Sequence, residues 1–190
     1  MREDDLATRL VDHFDAAHPD AAVHLEEPYD HYGSRGVADV YVRVPPPTAV
    51  DYLVELKGDP AVRHATGANE ILRQYRRMER YFYRDDAHTL EPRLSRDGPG
   101  AFVLLFFAPT EKCVRHVREH ASLYASVDPD ASVDGVPVTR KVAFLTGLDD
   151  AAAGGVNFLS VNAGARVGTD AFRRAVPDDT RLAAALDATE

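Results

Sequence analysis

The stretch DYLVELKGDP, residues 51–60, reads as a β-strand that ends in a charged pair. Side chains alternate along a strand, so Glu55 and Lys57 share one face and Leu56 points to the other. Gly58 and Pro60 then stop the run. An acid and the chain's first lysine at the end of an apolar strand have two readings. One is an edge-strand ion pair, which contributes little to stability; the other is half of a metal-dependent active site.

Upstream, AAVHLEEPY reads as one strand, and a loop from Gly33 to Gly36 turns the chain into a second, VADVYVRV. Three prolines, Pro45 to Pro47, end it. The short connection from there to Asp51 makes the second and third strands an antiparallel hairpin. That hairpin pairs Val40 with roughly Glu55 and sets Asp39 beside the Glu55–Lys57 segment. Two carboxylates and an ammonium therefore converge. Hard divalent cations take oxygen ligands and keep waters, so Asp39 and Glu55, with the Leu56 carbonyl, are candidate ligands for Mg²⁺ or Mn²⁺. Such a cation stabilises charge on an attacked phosphate and acidifies a bound water, which Lys57 is placed to orient or deprotonate.

Elsewhere the pattern alternates between helices and strands. Leu6, Leu10 and Phe14 form an inward stripe on a first helix that ends near His18-Pro19, and Glu3 continues the stripe one turn earlier. A long helix is expected from Ala65 to Arg84, with Ile71, Tyr75, Met78 and Phe82 as its buried face. A polar loop, Glu91 to Gly100, leads to AFVLLFFAP, an unbroken apolar run suited to a strand covered on both faces. Another helix is expected from about Glu111 to Tyr124, then a turn-rich segment from Asp128 to Gly135. VPVTRKVAFLTG and VNFLSVN read as further strands, and short helices near Phe172 and Leu182 close the chain. This order predicts an α/β fold with a mixed sheet flanked by helices.

With 190 residues, one domain is expected. The single cysteine, Cys113, excludes an internal disulfide and a cysteine-rich zinc site, and its apolar helix face suggests a core residue. No apolar run approaches the roughly 20 residues of a membrane helix. MREDDLATRL has no signal-peptide core, so a cytoplasmic location is expected. The 31 acids outnumber the 22 bases, for a net charge of −9, and only 3 of those bases are Lys. An acidic, lysine-poor surface suits a salt-rich cytoplasm such as that of a halophilic archaeon; a GC-rich genome favouring Arg, Asp and Ala codons is the alternative.

Gly36-Val37-Ala38-Asp39-Val40-Tyr41-Val42 followed by Val54-Glu55-Leu56-Lys57-Gly58 resembles the PD-(D/E)XK nuclease superfamily over roughly Glu3 to Pro109. The resemblance implies a restriction-endonuclease-like αβββαβ core, about residues 3–125, with residues 126–190 as a C-terminal extension of strands and short helices. It implies that Asp39 and Glu55 bind the metal, that Lys57 assists catalysis, and that an acid on the first helix, Glu3, completes the site. Glu26 and Glu27 compete with Glu3 for that role. Ala38 stands where family members often have proline. In a RecB-like subgroup the following helix carries a Gln that reaches the site, which maps onto Gln74; the Tyr often found four residues later is Met78 here. The implied activity is Mg²⁺-dependent hydrolysis of DNA phosphodiesters by attack of a metal-activated water. The implied partner is a nucleic acid, and a homodimer is one arrangement by which such enzymes cut both strands. A catalytically inactive nucleic-acid-binding module with the same fold is the alternative.

Other residues carry competing signals. Arg73, Arg77, Arg80 and Arg84, with Arg76 nearby, form a helix stripe suited to a phosphate backbone, or a solvated face partly paired with Glu70 and Glu79. His116-Val117-Arg118-Glu119-His120 fits the H-x-x-E-H pattern of inverted zinc proteases, but the only Glu downstream is Glu190. His31 lies in the loop before Asp39, as a turn residue or a substrate contact. No phosphate-binding glycine loop and no G-x-S-x-G elbow is present.

Overall fold

The computed structural model of the protein describes residues 1–31, 34–63, 67–79, 100–133, 136–146, 158–163, 166–178 and 180–190. The chain opens with α1 (Glu3–Ala17), whose first turn holds Glu3, Asp4 and Asp5, acids that complement the positive helix N-terminus. The Asp5 carboxylate accepts the Arg2 backbone N–H at 3.3 Å. α1 stops at His18, whose position before Pro19 disfavours helical backbone.

Three strands follow: β1 (Ala22–His31), β2 (Ser34–Val44) and β3 (Val50–Lys57). β1 and β3 both pair antiparallel with β2. α2 (Gly67–Glu79) then leads to β4 (Gly100–Phe107), which lies parallel to β3. This is the expected αβββαβ order. The expected helix ends of 65–66 and 80–84, with Arg80 and Arg84, fall outside the described residues, as does the 91–99 loop.

The helix expected from Glu111 to Tyr124 divides into α3 (Glu111–Glu119) and α4 (Ala121–Ala125). The break is at His120, where the ring Nδ1 lies 2.9 Å from the His116 carbonyl oxygen. Next come β5 (Asp130–Val133), β6 (Val136–Leu145) and β7 (Phe158–Ser160). β5 falls in a segment expected to be turns, because its short DASV sequence lacks alternation and gains strand form only by pairing with Val136–Thr139. β7 is shorter than the expected VNFLSVN. It stops because Asn162 leaves the ladder: its Oδ1 accepts the Val142 N–H, and its Nδ2 donates to the Val127 and Arg140 carbonyls. α5 (Asp170–Ala175) and α6 (Arg181–Asp187) end the chain, each capped by a threonine, Thr169 and Thr180.

The seven strands form one mixed sheet in the order β1-β2-β3-β4-β6-β5, with β7 also on β6. β3 and β4 lie inside the sheet with both neighbours hydrogen-bonded, which explains their nearly unbroken apolar sequences. β4 and β6 approach closely at Gly100: a Cβ there would stand 2.0 Å from the Pro137 carbonyl oxygen, and the residue has a φ of +113°. Leu6, Leu10 and Phe14 of α1 and Ile71, Tyr75 and Met78 of α2 are all buried in the common core, as their spacing predicts. The Tyr75 hydroxyl donates to the Val103 carbonyl at 2.9 Å, which satisfies a buried polar atom between helix and sheet. Phe14 meets Tyr52 with ring centroids 5.1 Å apart, so the Tyr52 face of β3 looks toward α1. By alternation Asp51, Leu53, Glu55 and Lys57 occupy the other face. Among the described residues, no helix is long and apolar enough to cross a membrane.

Candidate active site

β3 is not an edge strand, so the Glu55–Lys57 pair is not a solvated surface bridge. Glu55 is 0% exposed and Lys57 6%, and the Lys57 ammonium is in contact with Glu55 Oε1. The other carboxylate oxygen, Oε2, is buried without a hydrogen-bond partner. An unsatisfied buried carboxylate oxygen is costly unless something else compensates it.

The β2–β3 ladder pairs Val40 with Val54, one residue from the sequence expectation. This register puts Asp39 level with Glu55 and on its face. Val40↔Val54 is the last pair of the ladder, and Asp39 reaches across beyond it. Its Oδ2 accepts the Leu56 backbone N–H at 2.6 Å, so Asp39 is tied to the strand that carries Glu55. Asp39 is half-buried.

Glu3 reaches the same end of β3 from the first turn of α1. Its Oε1 accepts the Gly58 N–H at 3.1 Å, and the Met1 carbonyl accepts the Asp59 N–H at 3.1 Å. Gly58 is needed for this approach, since a Cβ would lie 2.6 Å from the Met1 carbonyl oxygen. Asp59 is held further by the Met1 amino group at 2.7 Å and by the Thr110 hydroxyl. Although burial pushes the Asp59 carboxyl up, these two hydrogen bonds keep it below the usual range. The sequence gave no signal for this latch beyond the glycine itself.

Crowding of acids shapes the electrostatics. Burial pushes Glu55 up to about 7; Lys57 opposes the shift, while Asp39 and Glu3 add to it. Burial also raises Asp39, partly offset by the Leu56 N–H and Lys57 and reinforced by Glu3 and Glu26. Glu26 falls opposite Asp39 between the Leu25↔Val40 and Glu27↔Ala38 pairs, and has a φ of +51°, unusual for a non-glycine residue. The structure thus gathers Glu3, Asp39, Glu55 and Lys57, with Glu26 near enough to perturb Asp39.

A family model described as a PD-(D/E)XK nuclease superfamily domain matches residues 1–190, the whole chain. The protein belongs to this superfamily. PD-(D/E)XK proteins are generally nucleases, typically use divalent metals and act on nucleic acid, and the mixed seven-stranded sheet agrees with their restriction-endonuclease-like fold. Comparisons with curated proteins and with solved structures found no match.

Other residues singled out in this PD-(D/E)XK chain stand apart from the cluster. Gln74 is half-buried on α2 and makes no hydrogen bond to Asp39, Glu55 or Lys57. Arg73 is exposed and paired with Glu70 at 2.7 Å, while Arg77 is half-buried. The side chain of His31 lies outside the described residues, as do Tyr32 and Gly33.

The H-x-x-E-H histidines share a helix face, with ring centroids 4.6 Å apart, but belong to the core. His116 Nε2 is 2.7 Å from the Tyr124 hydroxyl, and burial, then His120, hold the His116 ring down to about 4. Among the described residues no group of three or more His, Cys, Asp or Glu side chains forms a metal cage, so the zinc-protease pattern has no completed site. Cys113 is buried, and burial pushes its thiol up to about 11, as expected for a core residue rather than a nucleophile.

Sequence reasoning also passed over a buried polar triad on the Glu55 face. Asp51, 0% exposed, accepts from the Tyr41 hydroxyl at 2.8 Å and from Arg43 Nε at 2.8 Å. Arg43 pairs directly with Asp51 in the register, so the signal lay in the hairpin alignment.

Proposed function

We propose that the protein is a divalent-metal-dependent nuclease that hydrolyses DNA phosphodiester bonds, and that the whole chain works as one such domain. The observation that carries this reading is Glu55 Oε2, an orphaned buried carboxylate oxygen on the same face and at the same level as Asp39. The donor set fits a hard cation: Asp39 and Glu55 supply carboxylate oxygens, the Leu56 carbonyl and Glu3 lie on the adjoining backbone and helix turn, and no soft ligand is involved. Two carboxylates with remaining positions for water suit Mg²⁺, with Mn²⁺ as a substitute.

When bound, the cation supplies charge stabilisation at the attacked phosphate and a more acidic water. The residues of the chain do the rest. Asp39, fixed by the Leu56 N–H, presents its remaining oxygen in a set direction. Glu55 is held by Lys57 on one oxygen and keeps the other for the site. Lys57 is the nearest group able to orient or deprotonate the attacking water, and its ammonium offsets charge on the phosphate. Glu3 steadies the turn after β3 through Gly58. Gln74, and Arg73 and Arg77 with the further arginines of the stripe, are assigned to contacts with substrate alongside the metal site.

The test is cleavage of labelled linear, circular and branched DNA, and of RNA of the same sequence, with Mg²⁺, Mn²⁺ or EDTA. High salt is included because of the acidic, lysine-poor composition. Metal-dependent cleavage of DNA is expected. Binding of nucleic acid with no cleavage under any metal would reject the enzyme in favour of an inactive binding module.

A further inference from the structure

β2 is eleven residues long, yet β3 pairs only with Val40–Val44 of it. The other six residues, 34–39, pair with β1 alone, through Glu27↔Ala38, Pro28↔Val37, Tyr29↔Gly36, Asp30↔Arg35 and His31↔Ser34. At ~3.4 Å per residue this two-stranded ribbon extends roughly 20 Å past the end of the β2–β3 ladder. It departs at Asp39, so whatever occupies the candidate active site passes along it.

The two faces of the ribbon follow from the register. Pro28 and Val37 lie directly opposite one another on the Asp39 face. Pro28 is exposed and Val37 is 47% exposed; Leu25, which pairs with Val40 at the base of the ribbon, is 55% exposed. Leu25 and Val37 are the exposed large hydrophobic residues among those described, and both flank the same departure point. An apolar step that adjoins catalytic carboxylates is a contact surface rather than scattered exposure.

Charge decides what kind of contact. From Glu26 to Val37 the ribbon carries Glu26, Glu27 and Asp30 against Arg35. An acidic ribbon repels phosphates, and a duplex groove is walled by them. Unpaired nucleotides, by contrast, present bases and sugars that pack on apolar and aromatic residues without the phosphate leading. Tyr29, in register with Gly36, adds a residue type on which bases stack.

We propose that this ribbon is a second substrate contact, and that its Pro28–Val37 face receives unpaired nucleotides next to the scissile phosphate. The inference rests on the nuclease reading and adds a preference for substrates with a single-stranded arm. The test compares kcat/KM on a forked DNA with that on a blunt duplex of the same sequence, for wild type, Val37→Asp and Val37→Thr. Wild type is expected to prefer the fork, Val37→Asp to lower that preference at least tenfold, and the near-isosteric Val37→Thr to lower it several-fold. Absence of preference in wild type, an unchanged preference in both variants, or a dimer lost on substitution in sedimentation would overturn the proposal. If wild type cuts nothing, the nuclease reading fails on its own. Fluorescence anisotropy in EDTA with a single-stranded oligonucleotide and the duplex then tests the ribbon: weaker single-strand binding by Val37→Asp supports it, and unchanged binding overturns it.

Discussion

Asp51 and Glu55 lie four residues apart on one face of β3, and both are 0% exposed, but they are satisfied differently. Asp51 has Tyr41 and Arg43 as donors on β2, whereas Glu55 has Lys57 on one oxygen and nothing on the other. The first arrangement is that of a structural buried pair; the second is that of a site. Asp51→Ala removes the acceptor that Tyr41 and Arg43 share, and should cost about 3–5 kcal/mol, the range for breaking a buried charge pair. Urea unfolding monitored by far-UV circular dichroism checks it. His116 offers a pH test. Its ring is held down to about 4 in the folded chain against a usual value near 6.5, so folding favours the neutral form. That contribution is complete above about 6.5 and is lost as pH falls through about 4. The stability difference between wild type and His116→Gln, from urea titrations at several pH values, should therefore narrow over that interval.

At the scale of elements, the site is a junction of β2, β3 and the start of α1. Gly58 is the point where the last two meet. Gly58→Ala puts a Cβ 2.6 Å from the Met1 carbonyl oxygen and 3.2 Å from the Glu3 backbone nitrogen, so the first turn of α1 must shift and carry Glu3 with it. Metal affinity by titration calorimetry should fall roughly 10-fold, the lower end for loss of a supporting partner around a metal site. The strands and helices near the site were legible because their patterns are strong: Leu6, Leu10 and Phe14 repeat at helical spacing, and Glu55 and Lys57 alternate with Leu56. The one-residue difference in β2–β3 register arose because loop length fixes pairing only approximately, while side-chain burial fixes which residues face each other. β5 was not legible because DASV becomes a strand only through β6. The break at His120 depends on a ring contact with the His116 carbonyl that no periodicity encodes. The Glu3–Gly58 latch joins residues 55 positions apart, and the left-handed backbone at Glu26 has no sequence signature.

For the molecule as a whole, the segment after Ala125 completes the sheet rather than decorating it. β6 pairs in parallel with β4 along Ala101–Phe107, and Val142, Ala143, Phe144 and Leu145 are buried in the common core. A chain ending at Ala125 would leave β4 as an exposed apolar edge, a strong invitation to aggregation. Such a truncation is expected to lack a cooperative thermal transition by circular dichroism, whereas a separable extension would leave one. The family match over the entire chain agrees with this integration. The central claim remains that Asp39 and Glu55 jointly hold the cation on which cleavage depends. It is tested most directly by Mg²⁺-dependent cleavage of a labelled DNA by wild type, Asp39→Ala and Glu55→Ala, each verified as folded by circular dichroism. The account predicts cleavage by wild type alone; metal-dependent cleavage that persists in both folded variants would contradict it.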